Sequence, residues 1–358
     1  MNKKLTALYF GSYSLANARN AILMKGLREN GVTILECNDR SRSYITKYLK
    51  LLFKYLKFIG KFDVMIVGFS GQEMMPLARI LTRKPIIFDA FTSHYMGYIL
   101  DRKYFSSQSL RAKYYHFIDR WSCSLADIVI LDTQAHINYF LKEFNFLAYK
   151  FRKILLGANT DLFQRQDGPM LSKDGAQFNV VFWGNFIPLQ GVEYIIRAAK
   201  ILEQHSVKFY LVGGGGQTMP ENKKLVHNLG LNNVEFTCKL SQEDLNRKIV
   251  DADVCLGAFG GGIKTDVTIQ NKIFEALAMG KVIITSRTTA IEEILTDGEN
   301  CILCASANPQ SLADKILMLA HDKELKDRIA VNGYEFFKKN LDEKIIGGEL
   351  KKIIEEIT

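Results

Sequence analysis

Cysteine, proline and tryptophan are scarce in this 358-residue chain, at six, six and two. Six cysteines at scattered spacings are too few for a disulfide scaffold and suit reduced thiols. Cys301 and Cys304 form one CxxC, but Asn300–Ala305 reads as a strand, where positions three apart face opposite sides, so packed thiols are expected in preference to a zinc or redox pair. Long apolar runs are missing too. The longest stretch without a charged or strongly polar residue is about ten residues, Val254–Ile263, rich in glycine and well short of the ~20 needed to cross a bilayer. No transmembrane helix is expected. Lys3 and Lys4 precede an apolar Leu5–Phe10 that is too short for a signal peptide and has no small-residue cleavage site after it, so a first β-strand of a cytosolic protein is expected there.

What is present is an ordinary globular composition, 47% hydrophobic and 24% charged, with 23 Phe and 15 Tyr spread along the chain. Disorder and fibrous architecture are excluded, and the length suggests two domains at about 150 residues each. The net charge of +9 is unevenly shared. Residues 1–170 hold 25 Lys and Arg against 13 Asp and Glu, whereas residues 171–358 hold 22 against 25. The first half therefore meets something anionic: a membrane surface, a phosphorylated lipid or a nucleic acid.

Short β-branched runs alternate with segments of helical period. In the first half the runs are Leu5–Phe10, Val32–Glu36, Val64–Val67, Ile86–Phe88, Ile128–Leu131 and Lys153–Leu156, with helices such as Ala16–Asn30 and Glu73–Thr82 between them. In the second they are Asn179–Trp183, Lys208–Val212, Val234–Thr237, Val254–Leu256, Val282–Thr285 and Cys301–Cys304, with helices such as Val192–His205 and Lys272–Met279. Strand-helix alternation predicts parallel, doubly wound sheets. The aperiodic polar stretch Gln164–Gln177 is the expected linker, separating a domain over 1–168 from one over 176–340. Two such sheets are expected to hold a ligand between their carboxyl edges.

Two glycine-rich loops invite a phosphate. Gly213–Gly216 follows a strand, but Thr218 and Pro220 break the G-x-G-x-x-G spacing of a dinucleotide fingerprint, and a plain strand-to-helix turn fits as well. The second loop, Gly260–Gly262, precedes Lys264 and Lys272 and then a helix carrying Glu275. Loop amides and two lysines suit a diphosphate, and Glu275 suits hydroxyls. The same three side chains also read as ordinary solvated surface.

The ordered segments Val180–Gly191, Phe209–Gly215, Val234–Leu240, Asp251–Val254 and Asn271–Ile284 resemble the nucleotide-sugar-binding domain of family 4 glycosyltransferases. The first half matches more loosely through Arg19–Leu23, Gly31, Asp119-Arg120, Asp132-Thr133 and Gly157–Phe163. The resemblance implies the GT-B fold of two Rossmann-like domains facing an interdomain cleft, and a C-terminal helix, 341–357, that packs back on the first domain. It implies transfer of a sugar from a nucleoside diphosphate sugar, with retention of configuration and with no metal or other cofactor required. The donor-binding positions it implies are Gly11, Gly184, Asn185, Gln190, Gly213, Lys239, Leu240, Gly261, Gly262, Gln270, Asn271, Lys272 and Glu275, with Glu275 on the ribose.

The chain departs from that family where the donor's diphosphate is normally neutralised. Asn185 and Gln190 stand where members carry Arg and Lys, and Val267 stands eight positions before Glu275, where members carry another glutamate. Lys264 and Lys272 are expected to substitute, since a leaving diphosphate needs cationic help. His94 or Asp89 is expected to fill the place of the cleft histidine that contacts the donor sugar in many members.

Lys47, Lys50, Lys54, Lys57 and Lys61 recur at intervals of 3, 4, 3 and 4, which sets them on one stripe of an otherwise apolar segment, Tyr44–Lys61. That is the pattern of a helix lying on anionic lipid, and equally of a Rossmann helix with a solvated face. Nucleic acid is disfavoured, because no recognised binding motif accompanies the charge. Aromatic and basic residues from Tyr95 to Trp121 suit an acceptor groove. The expectation is a glycosyltransferase, peripheral on the inner face of the cell membrane, acting on a lipid-linked or cell-surface glycan acceptor. A catalytically silent glycosyltransferase-like subunit and a Rossmann enzyme using NAD or a methyl donor are the alternatives.

Overall fold

The computed structural model describes residues 5–165 and 177–358. The chain forms two compact units, Met1–Asn159 with Leu341–Thr358, and Thr160–Asn340. The division precedes the whole of the stretch read as a linker, Gln164–Gln177, much of which lies outside the described residues. Residues 160–165 belong to the second unit because it holds them: the Leu162 carbonyl accepts from the Asn246 side chain, and the Arg165 guanidinium lies 4.9 Å over the Tyr334 ring.

Unit 1 runs β1 (Thr6–Gly11), α1 (Ala18–Glu29), β2 (Thr33–Asn38), α2 (Tyr44–Tyr55), β3 (Val64–Val67), α3 (Met75–Leu81), β4 (Ile86–Asp89), α4 (Leu110–Leu125), β5 (Ile128–Leu131), α5 (Gln134–Phe144) and β6 (Phe151–Lys153). The strands are all parallel, in the order β2-β1-β3-β4-β5-β6. Side chains at helix entries satisfy otherwise orphaned amides: Asn17 caps α1, Ser43 caps α2, Ser109 caps α4 and Thr133 caps α5. The core gathers Leu8, Phe10, Met65, Val67, Phe88, Val129 and Phe140 between sheet and helices.

Three boundaries differ from the sequence reading. The strand expected at Lys153–Leu156 is Phe151–Lys153, because the Ile154 and Leu155 carbonyls accept from Arg19 Nη1 at 2.7 and 3.0 Å. The helix expected to reach Lys61 ends at Tyr55 with one tighter turn to Phe58, since Ile59 turns extended and Gly60 takes a positive φ of 76°. The segment Glu73–Thr82 divides into a 3-10 turn, Gln72–Met74, and α3.

Unit 2 runs β7 (Phe178–Trp183), α6 (Val192–Ile201), β8 (Val207–Val212), α7 (Met219–Asn228), β9 (Val234–Thr237), α8 (Gln242–Val250), β10 (Val254–Leu256), α9 (Ile263–Val267), α10 (Asn271–Ala278), β11 (Ile283–Ser286), α11 (Thr289–Glu292), β12 (Ile302–Cys304), α12 (Pro309–His321) and α13 (Lys323–Asn340). Its parallel order is β12-β11-β10-β7-β8-β9. The chain reverses direction across the sheet between β7 and β10, and loops beyond the carboxyl ends of such strands are where open α/β sheets bind ligands. Cys301 and Cys304 are both buried, with thiols pushed up to about 12 by burial, and their sulfurs meet different carbonyls, of Thr296 and Thr285.

The last helix, α14 (Glu343–Ile357), belongs to unit 1 and packs along α1. Gly26 and Gly347 make that approach possible, since a Cβ on either would overlap backbone of the other helix. Lys25 Nζ adds an ion pair to the buried Glu343 at 2.5 Å.

Candidate active site

At the switch point of unit 2, the loop after β7 and the loop after β10 are laced together. Phe259 N donates to Gln190 O at 3.0 Å and Gly260 N to Leu189 O at 3.1 Å. Gly191 closes the 3-10 turn Pro188–Gln190 at φ 61°, and a Cβ there would stand 2.5 Å from Gly260 N, so only glycine fits. Thr265 Oγ1 adds a bond to Leu189 O at 3.2 Å. The turn thereby aims the Gln190 side chain inward, where it is buried.

Lys272, second residue of α10, reaches this turn from the other side. Its Nζ donates to Gln190 Oε1 at 2.5 Å, lies 3.5 Å from the Gly257 carbonyl and sits 3.6 Å over the Phe182 ring. Gly184 leaves room for it, since a Cβ there would stand 3.3 Å from Nζ. Burial holds the ammonium well below the usual lysine range, and the Glu275 charge opposes that shift. Glu275, one turn further along α10, accepts from Trp183 Nε1 at 2.7 Å through Oε2. Burial pushes its carboxyl up, while the Trp183 bond and the Lys272 charge pull it back. Lys272, Gln190, Gly184 and Glu275 thus form one constellation with Trp183, a residue that spacing alone did not single out.

The other expected positions divide around it. Asn185, Gly261 and Gly262 are exposed on the same two loops. Lys239 lies against the glycine run, 3.0 Å from the place of a Gly214 Cβ, and Leu240 follows it. Gln270 caps α10 ahead of Asn271, its side chain donating to Thr268 O. Lys264 stands half-buried on α9, whose neighbouring Thr265 bonds the Gln190 turn, and Val267 on the same helix is buried and apolar. The Gly213–Gly216 run has a packing cause: at Gly213 a Cβ would press on the Phe186 ring and at Gly216 it would overlap the Phe186 backbone. Phe186 N in turn donates to Gly215 O at 2.9 Å, and α7 begins only at Met219. That geometry is a strand-to-helix crossover and lacks the direct entry into a helix that a dinucleotide fingerprint requires.

In unit 1 the expectation for Asp89 is corrected. Asp89 is fully buried at the end of β4, and both its oxygens accept from Arg19 Nε at 3.1 Å. Its carboxylate is committed to anchoring α1 and the Ile154–Leu155 carbonyls, so it is removed from the catalytic set. His94 is buried nearby, with its backbone N donating to Asp119 Oδ1 at 3.0 Å and its ring 5.5 Å from Tyr98. Gly11 ends β1 at φ 134°, its carbonyl accepting from Asp39 N.

The lysine stripe is only partly a helix face. Lys47, Lys50 and Lys54 lie on α2, Lys57 in the turn after it, and Lys61 beyond Gly60. Lys54 is tied to Asn38 O and Asp39 Oδ2, and Lys50 to Ser41 Oγ. Leu51 and Tyr55 face the core, whereas Ile45, Leu49, Phe53 and Leu56, at intervals of four, four and three, face solvent. Ile45 is 75% and Phe53 65% exposed. Among the described residues no helix is long and apolar enough to cross a membrane.

Comparison with known proteins fits this arrangement. The fold matches the HepE protein of Anabaena in complex with UDP-glucose at a TM-score of 0.73 and 17% identity, covering 98% of this chain and 100% of that one. It matches sucrose-phosphate synthase of Thermosynechococcus elongatus at 0.74 and 16% identity, covering 99% of each. Likeness at such identity defines the fold class, GT-B with two Rossmann-like domains, as the sequence reading expected. Residues 177–322 match the family described as glycosyl transferases group 1. The chain is 30% identical over 181 residues to an uncharacterized glycosyltransferase of Methanocaldococcus jannaschii, covering 50% of this chain and 48% of that one. It spans roughly half the length of the curated relatives it matches. The match falls within the second unit and is the group of glycosyl transferases that the sequence resemblance pointed to.

Proposed function

We propose that the chain is a retaining family 4 glycosyltransferase that moves a hexosyl group from a nucleoside diphosphate sugar to a lipid-linked or cell-surface glycan acceptor at an anionic membrane face. The observation that carries this reading is the buried Lys272 side chain held against Gln190, on the helix that also carries Glu275, at the switch point of the second unit's sheet. A charge shielded from water stabilises a bound anion far more than a solvated lysine does. Glu275 serves the ribose hydroxyls, and Trp183 fixes its orientation. The HepE protein's complex with UDP-glucose supports a uridine donor as the first to try.

In the transfer, the bond between the sugar's anomeric carbon and the diphosphate oxygen breaks as the acceptor hydroxyl oxygen bonds to that carbon. The acceptor's proton passes to a diphosphate oxygen, and the nucleoside diphosphate leaves. Lys272 neutralises the growing charge on the leaving group, with no metal or other cofactor in the scheme. Membrane attachment rests on α2, where the apolar ridge Ile45, Leu49, Phe53 and Leu56 runs beside the lysine stripe.

A thermal-shift panel of UDP, GDP, ADP, dTDP, NAD and S-adenosylmethionine tests the donor class. Stabilisation by one diphosphate, lost in Glu275→Ala, supports the reading; a response to NAD or the methyl donor alone overturns it. The buried apolar Val267 favours one rival, a silent subunit, which turnover of any nucleotide sugar by the isolated chain eliminates.

A further inference from the structure

The helical layer of unit 1 holds a cavity of about 510 Å³, lined by α4, the last residues of α5, and Tyr95 and Ser107 of the loop after β4. Small-molecule pockets have this size, about 300–1,000 Å³. α5 leaves the carboxyl end of β5, so Glu143 and Phe144 at its far end lie toward the opposite edge of the sheet from Gly11 and His94. The cavity thus runs along the outer helices, away from the strand ends.

Its walls are tied together in advance. Tyr95 N donates to Asp119 Oδ2 at 2.9 Å, Arg120 Nε donates to the Phe144 carbonyl at 3.2 Å, and Asn145 closes α5 in the left-handed region at φ 55°. Little ordering cost is left for a ligand to meet. Aromatic rings form much of the lining. Tyr95 meets the His116 ring edge-on at 5.3 Å, His116 lies 4.8 Å from Phe144, and Phe117 stacks on Trp121 at 5.5 Å while 56% exposed.

The charge in the cavity is positive and unspent. Lys113, His116 and Arg120 follow at intervals of three and four, which sets them on one stripe of α4. The carboxylate in the lining, Glu143, lies 3.4 Å from His116 Nε2. Among the described residues, neither the Lys113 ammonium nor the terminal nitrogens of Arg120 have a hydrogen-bond or ion-pair partner, and both side chains are exposed.

That arrangement selects a ligand. The free end of a guanidinium takes two oxygens of one anion. A carboxylate spends both of its oxygens there, whereas a phosphate keeps a third for Lys113, about 10 Å along the helix axis and within reach of two long side chains. Rings that are partly exposed suit a flat, aromatic body.

We propose that this cavity binds an aromatic phosphate monoester, with its phosphate on Arg120 and Lys113 and its ring against Tyr95, Phe117 and Phe144. The site stands apart from the Lys272 constellation of unit 2 and does not depend on the transferase reading.

Isothermal titration of the whole chain with phenyl phosphate, inorganic phosphate, benzoate and dihexanoylphosphatidic acid tests it. Phenyl phosphate is expected to bind, and inorganic phosphate and benzoate at least tenfold more weakly. Arg120→Lys keeps the charge but loses the fork, and is expected to weaken phenyl phosphate by roughly tenfold. Lys113→Met and Phe117→Ala, both at exposed positions, are expected to weaken it roughly fivefold or more with the melting temperature unchanged. No binding of phenyl phosphate, equal binding of inorganic phosphate or benzoate, or unaltered binding in all three variants overturns the proposal. Loss of binding in Lys272→Met, with none in the unit 1 variants, overturns it by moving the ligand to unit 2. Tighter binding of the short-chain lipid than of phenyl phosphate overturns it in favour of a membrane headgroup.

Discussion

Lys272 and Gln190, 82 positions apart, meet at 2.5 Å between Nζ and Oε1. The family resembled by this sequence carries a lysine at the Gln190 position, and here the Lys272 ammonium reaches that position from α10. A second cation on the turn would crowd the first. Changing Lys272 to Met keeps the stem and removes the charge, and the turnover rate should fall by about 10²-fold or more, as for loss of one transition-state donor. Affinity for the nucleoside diphosphate should fall less. Equal losses in rate and affinity, read from steady-state kinetics beside direct UDP titration, would mean that Lys272 serves ground-state binding only.

The same burial gives a pH signature. Lys272 titrates well below the ordinary lysine value of about 10.4, so between its native value and that figure the unfolded chain binds more protons than the folded one. Stability of the free protein therefore rises with pH across this window through this group, and the rise should be absent from Lys272→Met. A bound diphosphate favours the ammonium, so binding takes up protons and weakens as pH climbs through the native value. Calorimetry of UDP binding in buffers of different ionisation enthalpy reads the uptake, and no difference between wild type and Lys272→Met would refute the assignment.

The Trp183–Glu275 bond predicts a graded loss. Trp183→Phe keeps the ring against the strand end but frees the carboxylate, which should weaken diphosphate binding by about tenfold, the scale of one hydrogen bond to a charged group. Glu275→Ala should abolish the thermal stabilisation, about 2.7 kcal/mol at a hundred times Kd. A Trp183→Phe protein that binds UDP as tightly as wild type would show that Glu275 needs no orienting partner.

Much of the fold could be read from the chain, because buried parallel strands such as Val64–Val67 and Ile128–Leu131 are continuous β-branched runs bounded by turn residues. What escaped depended on distant partners. Arg19 takes two carbonyls at residues 154 and 155 and so moves β6, and nothing local to either segment signals that. Asp89 looked like a stand-in for the cleft histidine for the same reason, since its partner lies 70 positions away. Lys264 and Lys272 looked equivalent by sequence, yet the helix phase of α10 buries one while α9 leaves the other partly exposed. Trp183 stood in plain sight at the end of a strand. Its role needed the register that brings it to Glu275.

The α1–α14 contact predicts where unit 1 is brittle. Gly26→Val and Gly347→Val each put side-chain atoms where the other helix's backbone lies, and overpacking of this kind costs about 1–3 kcal/mol or more. The melting transition should fall by several degrees in both, while Gly348→Ala, whose Cβ meets only the Asn30 side chain at 3.3 Å, should change it little. Similar melting of all three would mean that the helices separate without cost.

The proposed attachment through α2 predicts two separable contributions, which the lysine pattern alone does not distinguish. Lys54 is already paired with Asp39, so its removal should alter lipid binding less than removal of Lys57, which stands exposed beyond the helix. The ridge Ile45, Leu49 and Phe53 supplies apolar area, at about 25 cal/mol per Å² taken from water. Cosedimentation with phosphatidylglycerol-containing vesicles should therefore survive high salt in part, whereas binding by charge alone would be screened away. Phe53→Ser with Leu49→Ser should remove the salt-resistant part and leave the salt-sensitive part. Vesicles of phosphatidylcholine alone should bind weakly, for lack of the anionic term of roughly 1 kcal/mol per basic residue. Binding indifferent to the double serine variant would place the membrane contact elsewhere in the chain and leave α2 as a solvated helix of the sheet.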